Sequence, residues 1–199
     1  MLEPAATKIG MPMEEFIRLY DTEGPFEFID GERKPIMPQV AGHGEVSLTV
    51  YHGLYAVTAA NHLGVVLHEQ TFVLSYTSNW VTGSRQPDVM FYTAERINAY
   101  KEANPDWKLK PYVLVPDLVV EVMSPNDDPD ELDEKIDLYL ADGVRMAWVM
   151  NPQRIKVSVY IPTPNTPRTK QQTNLFSGDT LTGGDLLTGF EMPVAKIFE

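Results

Sequence analysis

The stretch Tyr112–Asp142, YVLVPDLVVEVMSPNDDPDELDEKIDLYLAD, carries the clearest fold signals in the chain. Its first half, Val113–Met123, is an apolar run rich in β-branched residues and short enough to be a buried strand. Glu121 interrupts this run. Burying an ionised carboxylate is costly unless a cation or metal compensates its charge. The first half therefore predicts a buried strand with one functional or ion-paired acid.

The second half of the stretch predicts a helix with defined ends. Asp128 suits the N-cap, Pro129 the first helical position, and Glu131 the third position of a capping box. Gly143 ends the helix. Lys135 falls inside the apolar stripe, where a solvated lysine is not expected. The other members of that stripe are Leu132, Ile136, Tyr139 and Leu140. The strand and the helix are therefore both expected to direct a charge inward.

Length and composition predict one globular domain over residues 1–199. The chain has 199 residues and 43% apolar content, enough for a substantial core. No apolar run approaches the length of a membrane span, and the first residues lack the layout of a secretory signal. We therefore expect a cytoplasmic protein.

Cysteine usage and charge restrict the chemistry. Without cysteine, disulfides, thiolate nucleophiles and cysteine-type zinc sites are excluded, so a metal would need oxygen or histidine ligands. Hard divalent cations are then favoured. The net charge of −12 argues against a broad basic surface for nonspecific nucleic-acid binding, which depends on lysine and arginine.

The remaining patterns alternate strands, hairpins and helices, and together they predict an α/β fold with a central mixed sheet. Asp30-Gly31 is a tight-turn dipeptide between two short strands. An apolar period of three and four residues predicts a helix from Gly42 to about Gly64, with His43 at its start. Further expected elements are a helix at Met13–Tyr20, a strand at Gly64–Tyr76, a strand at Val89–Tyr92, a helix at Ala94–Ala103, and a hairpin over 146–161.

Asp88, Glu121 and Lys135 form the candidate catalytic constellation. Carboxylates on neighbouring strands can hold a divalent cation, and a lysine beside them can position water or stabilise developing negative charge. Each residue also has a structural alternative. Asp88 could cap a turn after Pro87, and Glu121 and Lys135 could form a buried structural ion pair. His43 could simply stand at a helix start, because a lone histidine rarely makes a metal site.

Six separated blocks, together with the closing LLTGFEMPV (Leu186–Val194), resemble the Uma-type family of putative restriction endonucleases. The match covers nearly the whole chain. The blocks are FEFIDGE (Phe26–Glu32), His43, QPDV (Gln86–Val89), PDLVVEVMSPND (Pro116–Asp127), the EK and YLADGV stretch (Glu134–Val144), and WVMNP (Trp148–Pro152). By fold the family belongs to the PD-(D/E)XK nuclease superfamily. The resemblance implies a restriction-endonuclease-like core, with helices flanking a mixed sheet and with hairpins added near both ends of the chain.

The resemblance also implies roles for individual residues. The PD element corresponds to Pro87-Asp88, and the acid of the (D/E)XK element corresponds to Glu121. The position of its lysine holds Met123, so Lys135 on the following helix is the expected substitute. By this resemblance, Asp88, Glu121 and the main-chain carbonyl of Val122 would bind the metal, and Lys135 would orient the attacking water.

The function implied by the resemblance is metal-dependent hydrolysis of phosphodiester bonds in nucleic acid. The expected cofactor is Mg²⁺, with Mn²⁺ as an alternative, and the expected substrate is DNA. A homodimer is expected if the substrate is a duplex. Glu27 or Glu45 could supply a further acid. The rival hypothesis is a noncatalytic nuclease-fold protein that acts as a binding or regulatory partner, and the acidic net charge favours it.

Overall fold

The computed structural model describes residues 9–77, 79–164, 166 and 169–199. The helices are α1 (Met13–Glu23), α2 (Ala41–Ala60), α3 (Ala94–Ala103), α4 (Pro129–Asp142) and α5 (Val194–Ile197). The strands are β1 (Met11–Pro12), β2 (Phe26–Ile29), β3 (Glu32–Pro35), β4 (Gly64–His68), β5 (Phe72–Thr77), β6 (Trp80–Arg85), β7 (Val89–Thr93), β8 (Leu118–Val122), β9 (Met146–Asn151), β10 (Lys156–Pro162), β11 (Lys170–Phe176), β12 (Thr180–Gly183) and β13 (Leu187–Pro193).

The described residues form two compact units. The first contains the described part of Met1–Met37 together with Thr71–Gln86 and Asp106–Leu114. Its sheet has the order β1, β6, β2, β3, with β5 also paired to β6. Helix α1 buries Phe16 in a core shared with Phe26 of β2. Asp30 and Gly31 join β2 to β3 with positive φ angles of 52° and 87°, which confirms the predicted tight hairpin.

The second unit contains Pro38–Gln70, Pro87–Pro105 and Val115–Glu199. Its six-stranded sheet has the order β11, β10, β9, β8, β7, β4. Only the β8–β9 pair is parallel, and α4 makes the crossover between those two strands. Strands β12 and β13 form a C-terminal hairpin. This mixed sheet, flanked by helices, confirms the predicted α/β fold with added hairpins.

Helices α2 and α4 of this unit occupy different positions beside the sheet. Val46, Val50 and Leu54 of α2 pack in a core that also contains Val120 and Val122 of β8. Helix α4 follows β8 and begins where the sequence predicts, with Asp128 at the N-cap. The Asp128 side chain accepts a hydrogen bond from the backbone N–H of Asp130, at 2.8 Å. Gly143 ends the helix in a left-handed conformation.

Two boundaries differ from the sequence-based expectations. The stretch Gly64–Tyr76 forms two strands in different sheets, β4 and β5, because the backbone turns at Glu69 with a φ angle of 49°. The apolar run that begins at Val113 becomes regular strand only at Leu118. Pro116 lies between these positions and lacks the N–H that a continuous ladder needs.

Among the described residues, no helix is both long and apolar enough to cross a membrane. The sequence-based prediction of a single domain over residues 1–199 stays a prediction, and the site below lies entirely within the second unit.

Candidate metal centre

The two predicted acids lie on neighbouring strands of the second unit. Strands β7 and β8 are antiparallel, and their register pairs Val89 with Val120. Continuing that register by one residue sets Asp88 opposite Glu121. Asp88 is 5% exposed and Glu121 is 7% exposed, so two buried acids occupy neighbouring positions, one just before β7 and one near the end of β8.

Alternation along β8 directs Glu121 towards α4. Val120 and Val122 belong to the core that α2 covers, so the side chain between them faces the other side of the sheet. Lys135 Nζ donates to Glu121 at 3.1 Å, and Tyr139 Oη donates to Glu121 Oε1 at 2.5 Å. Lys135 and Tyr139 are four residues apart and therefore share one face of α4.

The Asp88 carboxylate is held by donors on both of its oxygens. Oδ1 accepts from Gln39 Nε2 at 2.9 Å and is hydrogen-bonded to His43 Nε2 at 2.8 Å. Oδ2 accepts from the backbone N–H of Val122 at 2.7 Å. Gln39 and His43 come from the segment that begins α2, whereas Val122 directly follows Glu121. The start of α2 and the end of β8 therefore fix this carboxylate together.

His43 extends the site through its second ring nitrogen. Nδ1 lies 3.2 Å from Ser124 Oγ, just beyond β8. Burial by itself would lower the pKa of His43. The hydrogen bond with Asp88 and the negative charges of Asp88, Glu121 and Asp127 outweigh burial, and the pKa of His43 is raised above its ordinary value. These negative charges favour the protonated form of the imidazole.

The donor set fits a hard divalent cation. Mg²⁺ is commonly held by one or two carboxylates and keeps several waters, and Asp88 and Glu121 are two buried carboxylates at neighbouring positions of adjacent strands. Within the described ranges, no group of three or more histidine, aspartate or glutamate side chains is arranged as a metal site. A cation here would consequently complete its coordination with main-chain oxygen or water rather than with a third acid.

The structure brings Lys135 and Glu121 into direct contact, sets Asp88 next to Glu121 in the strand register, and adds residues that sequence reasoning did not include. Gln39, Ser124 and Tyr139 were missed. Tyr139 carried a usable signal, because it follows Lys135 by four residues on the same stripe. Gln39 and Ser124 carried none, since their roles depend on contacts across 49 and 81 residues of chain.

Three further residues considered in the sequence analysis, Met123, Glu45 and Glu27, lie in different environments. The sulfur of Met123, at the usual lysine position, accepts a hydrogen bond from Asn151 Nδ2 at 3.1 Å. Glu45 is exposed on α2. Glu27 belongs to the first unit, where its Oε1 accepts from the backbone N–H of Gln86 at 2.9 Å.

Another buried acid, Asp117, lies just before β8, at the end opposite Glu121. It is fully buried and interacts with Arg96 at 2.9 Å and Arg145 at 3.3 Å. It also accepts from the backbone N–H of Thr93 at 2.9 Å. With two guanidinium partners and a backbone donor, Asp117 has the surroundings of a structural acid that ties β7, α3 and the start of β9 to β8.

Comparisons with known proteins agree with this fold. A family model named Uma2, described as "Putative restriction endonuclease", matches residues 13–195. A crystal structure of a putative nuclease belonging to DUF820 from Anabaena variabilis ATCC 29413 superposes with a TM-score of 0.72 at 19% sequence identity, covering 94% of this chain and 97% of that chain. At that identity, the likeness shows a shared fold. No curated protein matches the sequence.

Proposed function

The chain belongs to the Uma2 family, and from this membership and the paired acids we propose that it is a divalent-metal-dependent endonuclease that hydrolyses phosphodiester bonds in DNA. The observation that supports the proposal is that two buried acids, Asp88 and Glu121, occupy neighbouring positions beside β7 and on β8, with Lys135 donating to Glu121 at 3.1 Å. The proposed cofactor is Mg²⁺, which Mn²⁺ could replace.

Asp88 and Glu121 would hold the cation, together with the main-chain carbonyl of Val122. When bound, such a cation lowers the pKa of a coordinated water and neutralises charge on a phosphate. The chain's own part is to present its two carboxylates in a fixed arrangement. Asp88 is fixed by donors on both oxygens, and Glu121 is fixed by Lys135 and Tyr139.

Lys135 has a further role in this proposal. Its ammonium pairs with the Glu121 carboxylate and is partly exposed, at 26%. An ammonium in this place can orient an attacking water or stabilise negative charge that develops on the phosphate. It thereby substitutes for the lysine that Met123 replaces in the sequence motif.

A noncatalytic role is the second candidate function. Two observations favour it: the net charge of −12, which repels a polyanion, and the direct ion pair between Lys135 and Glu121, which could serve the fold alone. In that case the protein would bind a partner or regulate one, and its acids would be satisfied without a cation.

A cleavage assay and a stability assay together separate these functions. The full chain is incubated with supercoiled DNA, single-stranded DNA and RNA, in Mg²⁺, in Mn²⁺ and in EDTA. We expect metal-dependent cleavage of DNA, and its loss in Asp88→Asn and Glu121→Gln. The matched control is Asp106→Asn, an exposed acid in the first unit, which should cleave as the wild type does.

The stability assay measures the melting temperature with and without each cation. A ligand bound only by the folded state raises that temperature, so we expect Mg²⁺ and Mn²⁺ to raise it in the wild type and not in Glu121→Gln. Cation binding without cleavage of any substrate would favour the noncatalytic function. The absence of both effects would refute the proposed metal centre.

A further inference from the structure

His43 is buried between two partners at the start of α2. It is 7% exposed, and both ring nitrogens are engaged, Nε2 with Asp88 Oδ1 at 2.8 Å and Nδ1 with Ser124 Oγ at 3.2 Å. Rotating or flipping the ring would break at least one of these contacts. The imidazole is therefore held in a defined orientation between Asp88, just before β7, and Ser124, just after β8.

Oδ1 of Asp88 has two hydrogen-bonding partners, His43 and Gln39, which differ in burial. Gln39 also donates to Oδ1, at 2.9 Å, but Gln39 is an exposed residue in the segment before α2. Water can replace an exposed donor at little cost, whereas a buried donor that is lost leaves its acceptor without an equivalent partner. His43 is accordingly the donor that fixes Oδ1, while the backbone N–H of Val122 holds Oδ2, at 2.7 Å.

We propose that His43 is a positioning residue: held by Ser124 through Nδ1, it fixes the Asp88 carboxylate through Nε2 in the orientation that binds a divalent cation. The inference rests on the proposed function, because it assigns a task to a residue beside the proposed metal ligand. Partners that orient a metal-binding carboxylate typically change metal affinity or activity by roughly 10- to 100-fold when they are replaced.

A simpler explanation is that His43 only compensates the negative charge of Asp88. Two neutral substitutions distinguish the explanations. The amide nitrogen of glutamine reaches about as far from the backbone as Nε2 of histidine, and that of asparagine reaches about as far as Nδ1. His43→Gln can therefore keep the donor to Asp88, whereas His43→Asn loses it. Both variants remove any positive charge equally.

The experiment measures the affinity of the full chain for Mn²⁺ by isothermal titration calorimetry, with folding checked by circular dichroism and by melting in EDTA. We expect His43→Asn to weaken Mn²⁺ binding by roughly 10- to 100-fold, and His43→Gln to recover most of that loss. Gln39→Ala should lose less than His43→Asn. His52→Asn, on the exposed side of the same helix, is the control and should bind as the wild type does.

Ser124→Ala keeps the imidazole but removes its Nδ1 partner, so it tests the same orientation if His43→Asn does not fold. We expect Ser124→Ala to weaken Mn²⁺ binding, by less than His43→Asn does. Equal losses in His43→Asn and His43→Gln, or unchanged affinity in His43→Asn and Ser124→Ala, would overturn the inference while leaving the metal centre intact. A wild-type protein that binds no Mn²⁺ would overturn the metal centre and this inference with it.

Discussion

The ammonium of Lys135 lies 3.1 Å from the carboxylate of Glu121, across 14 residues of chain. This ion pair joins α4 to β8 beside the proposed metal centre. Lys135 also lies 5.8 Å from the centroid of the Tyr139 ring. Lys135 thus contributes a positive charge beside Glu121 and a contact with Tyr139 on its own helix. Its effects on cleavage and on stability can be measured separately.

Lys135→Met should separate cation binding from turnover. We expect cleavage per folded molecule to fall by roughly 10²- to 10³-fold, because an ammonium that stabilises developing negative charge is lost. Affinity for Mn²⁺ should not fall, since removing a positive charge beside Glu121 strengthens the attraction of the carboxylate for another cation. The measurements are steady-state cleavage and calorimetry, with the exposed Lys34→Met as the control.

The contrary outcome for Lys135→Met is also specific. If activity follows only the folded fraction, and the free energy of unfolding falls by about 3 to 5 kcal/mol, as expected for a broken buried pair, Lys135 has a structural role alone. Urea denaturation of the same samples supplies both quantities.

Tyr139→Phe should destabilise the protein through one hydrogen bond. The ring of Tyr139 is fully buried and phenylalanine retains it, so packing is preserved, while Glu121 Oε1 loses the hydroxyl donor at 2.5 Å. We expect the free energy of unfolding to fall by about 1 to 3 kcal/mol, the usual scale for one buried hydrogen bond to a charged group, because Oε1 keeps the Lys135 ammonium at 3.1 Å. Tyr55→Phe, at a tyrosine that is 53% exposed on α2, should be neutral. Equal stabilities of Tyr139→Phe and wild type in urea would contradict this account of Glu121.

Asp117→Asn should lower stability without affecting the metal centre. The substitution removes the negative charge that pairs with Arg96 and Arg145. Because both guanidinium groups reach solvent, at 35% and 57% exposure, the expected loss is about 2 to 4 kcal/mol, near the lower end of the range for a broken buried pair. Mn²⁺ affinity should not change, since Asp117 lies four residues, or about 13 Å, along β8 from Glu121. A weaker Mn²⁺ affinity in the folded variant would show that the two acids are coupled.

The ion pairs of Lys170 should make the stability of the protein depend on pH in the alkaline range. It links β11 to α4 through Asp133 at 2.8 Å and Asp137 at 2.7 Å. Burial alone would lower the pKa of Lys170, but its hydrogen bonds with these two aspartates raise it above the ordinary value. A raised lysine pKa stabilises the fold fully below the unfolded pKa of about 10.4, and the contribution disappears as pH rises through the folded value.

The stability difference between wild type and Lys170→Met should accordingly be largest below about pH 10 and should shrink above it. Urea denaturation on both sides of that pH measures the difference. Lys196→Met, at an exposed position in α5, provides the comparison. A difference that stays constant with pH would mean that the lysine stem, rather than its charge, supplies the stabilisation.

Local patterns in the sequence determined most of the secondary structure. The start of α4 at Asp128 and its end at Gly143 follow from residues adjacent in the chain, and capping depends only on such neighbours. The tight turn at Asp30-Gly31 has the same basis. At Glu69 the patterns failed because the two halves of the segment join different sheets. Before Leu118 they failed because Pro116 lacks the N–H that a continuous ladder needs.

The burial of Glu121 could also be predicted from the sequence, because a carboxylate within an apolar run requires a partner. Which residues would be its partners could be predicted only in part. Lys135 and Tyr139 are on the next helix and share its apolar stripe, so the βα unit limits where they can lie. Their contact with Glu121 still required α4 to pack on the face of β8 that α2 does not cover.

The arrangement around Asp88 was decided by tertiary structure alone. Gln39 and His43 reach Asp88 across 49 and 45 residues, and Ser124 reaches His43 across 81. Sequence periodicity reports which face of an element is buried, and carries no information on which distant residue it meets. That pairing is set by the register of β7 on β8 and by the placement of the first turn of α2, both of which exist only once the sheet has formed.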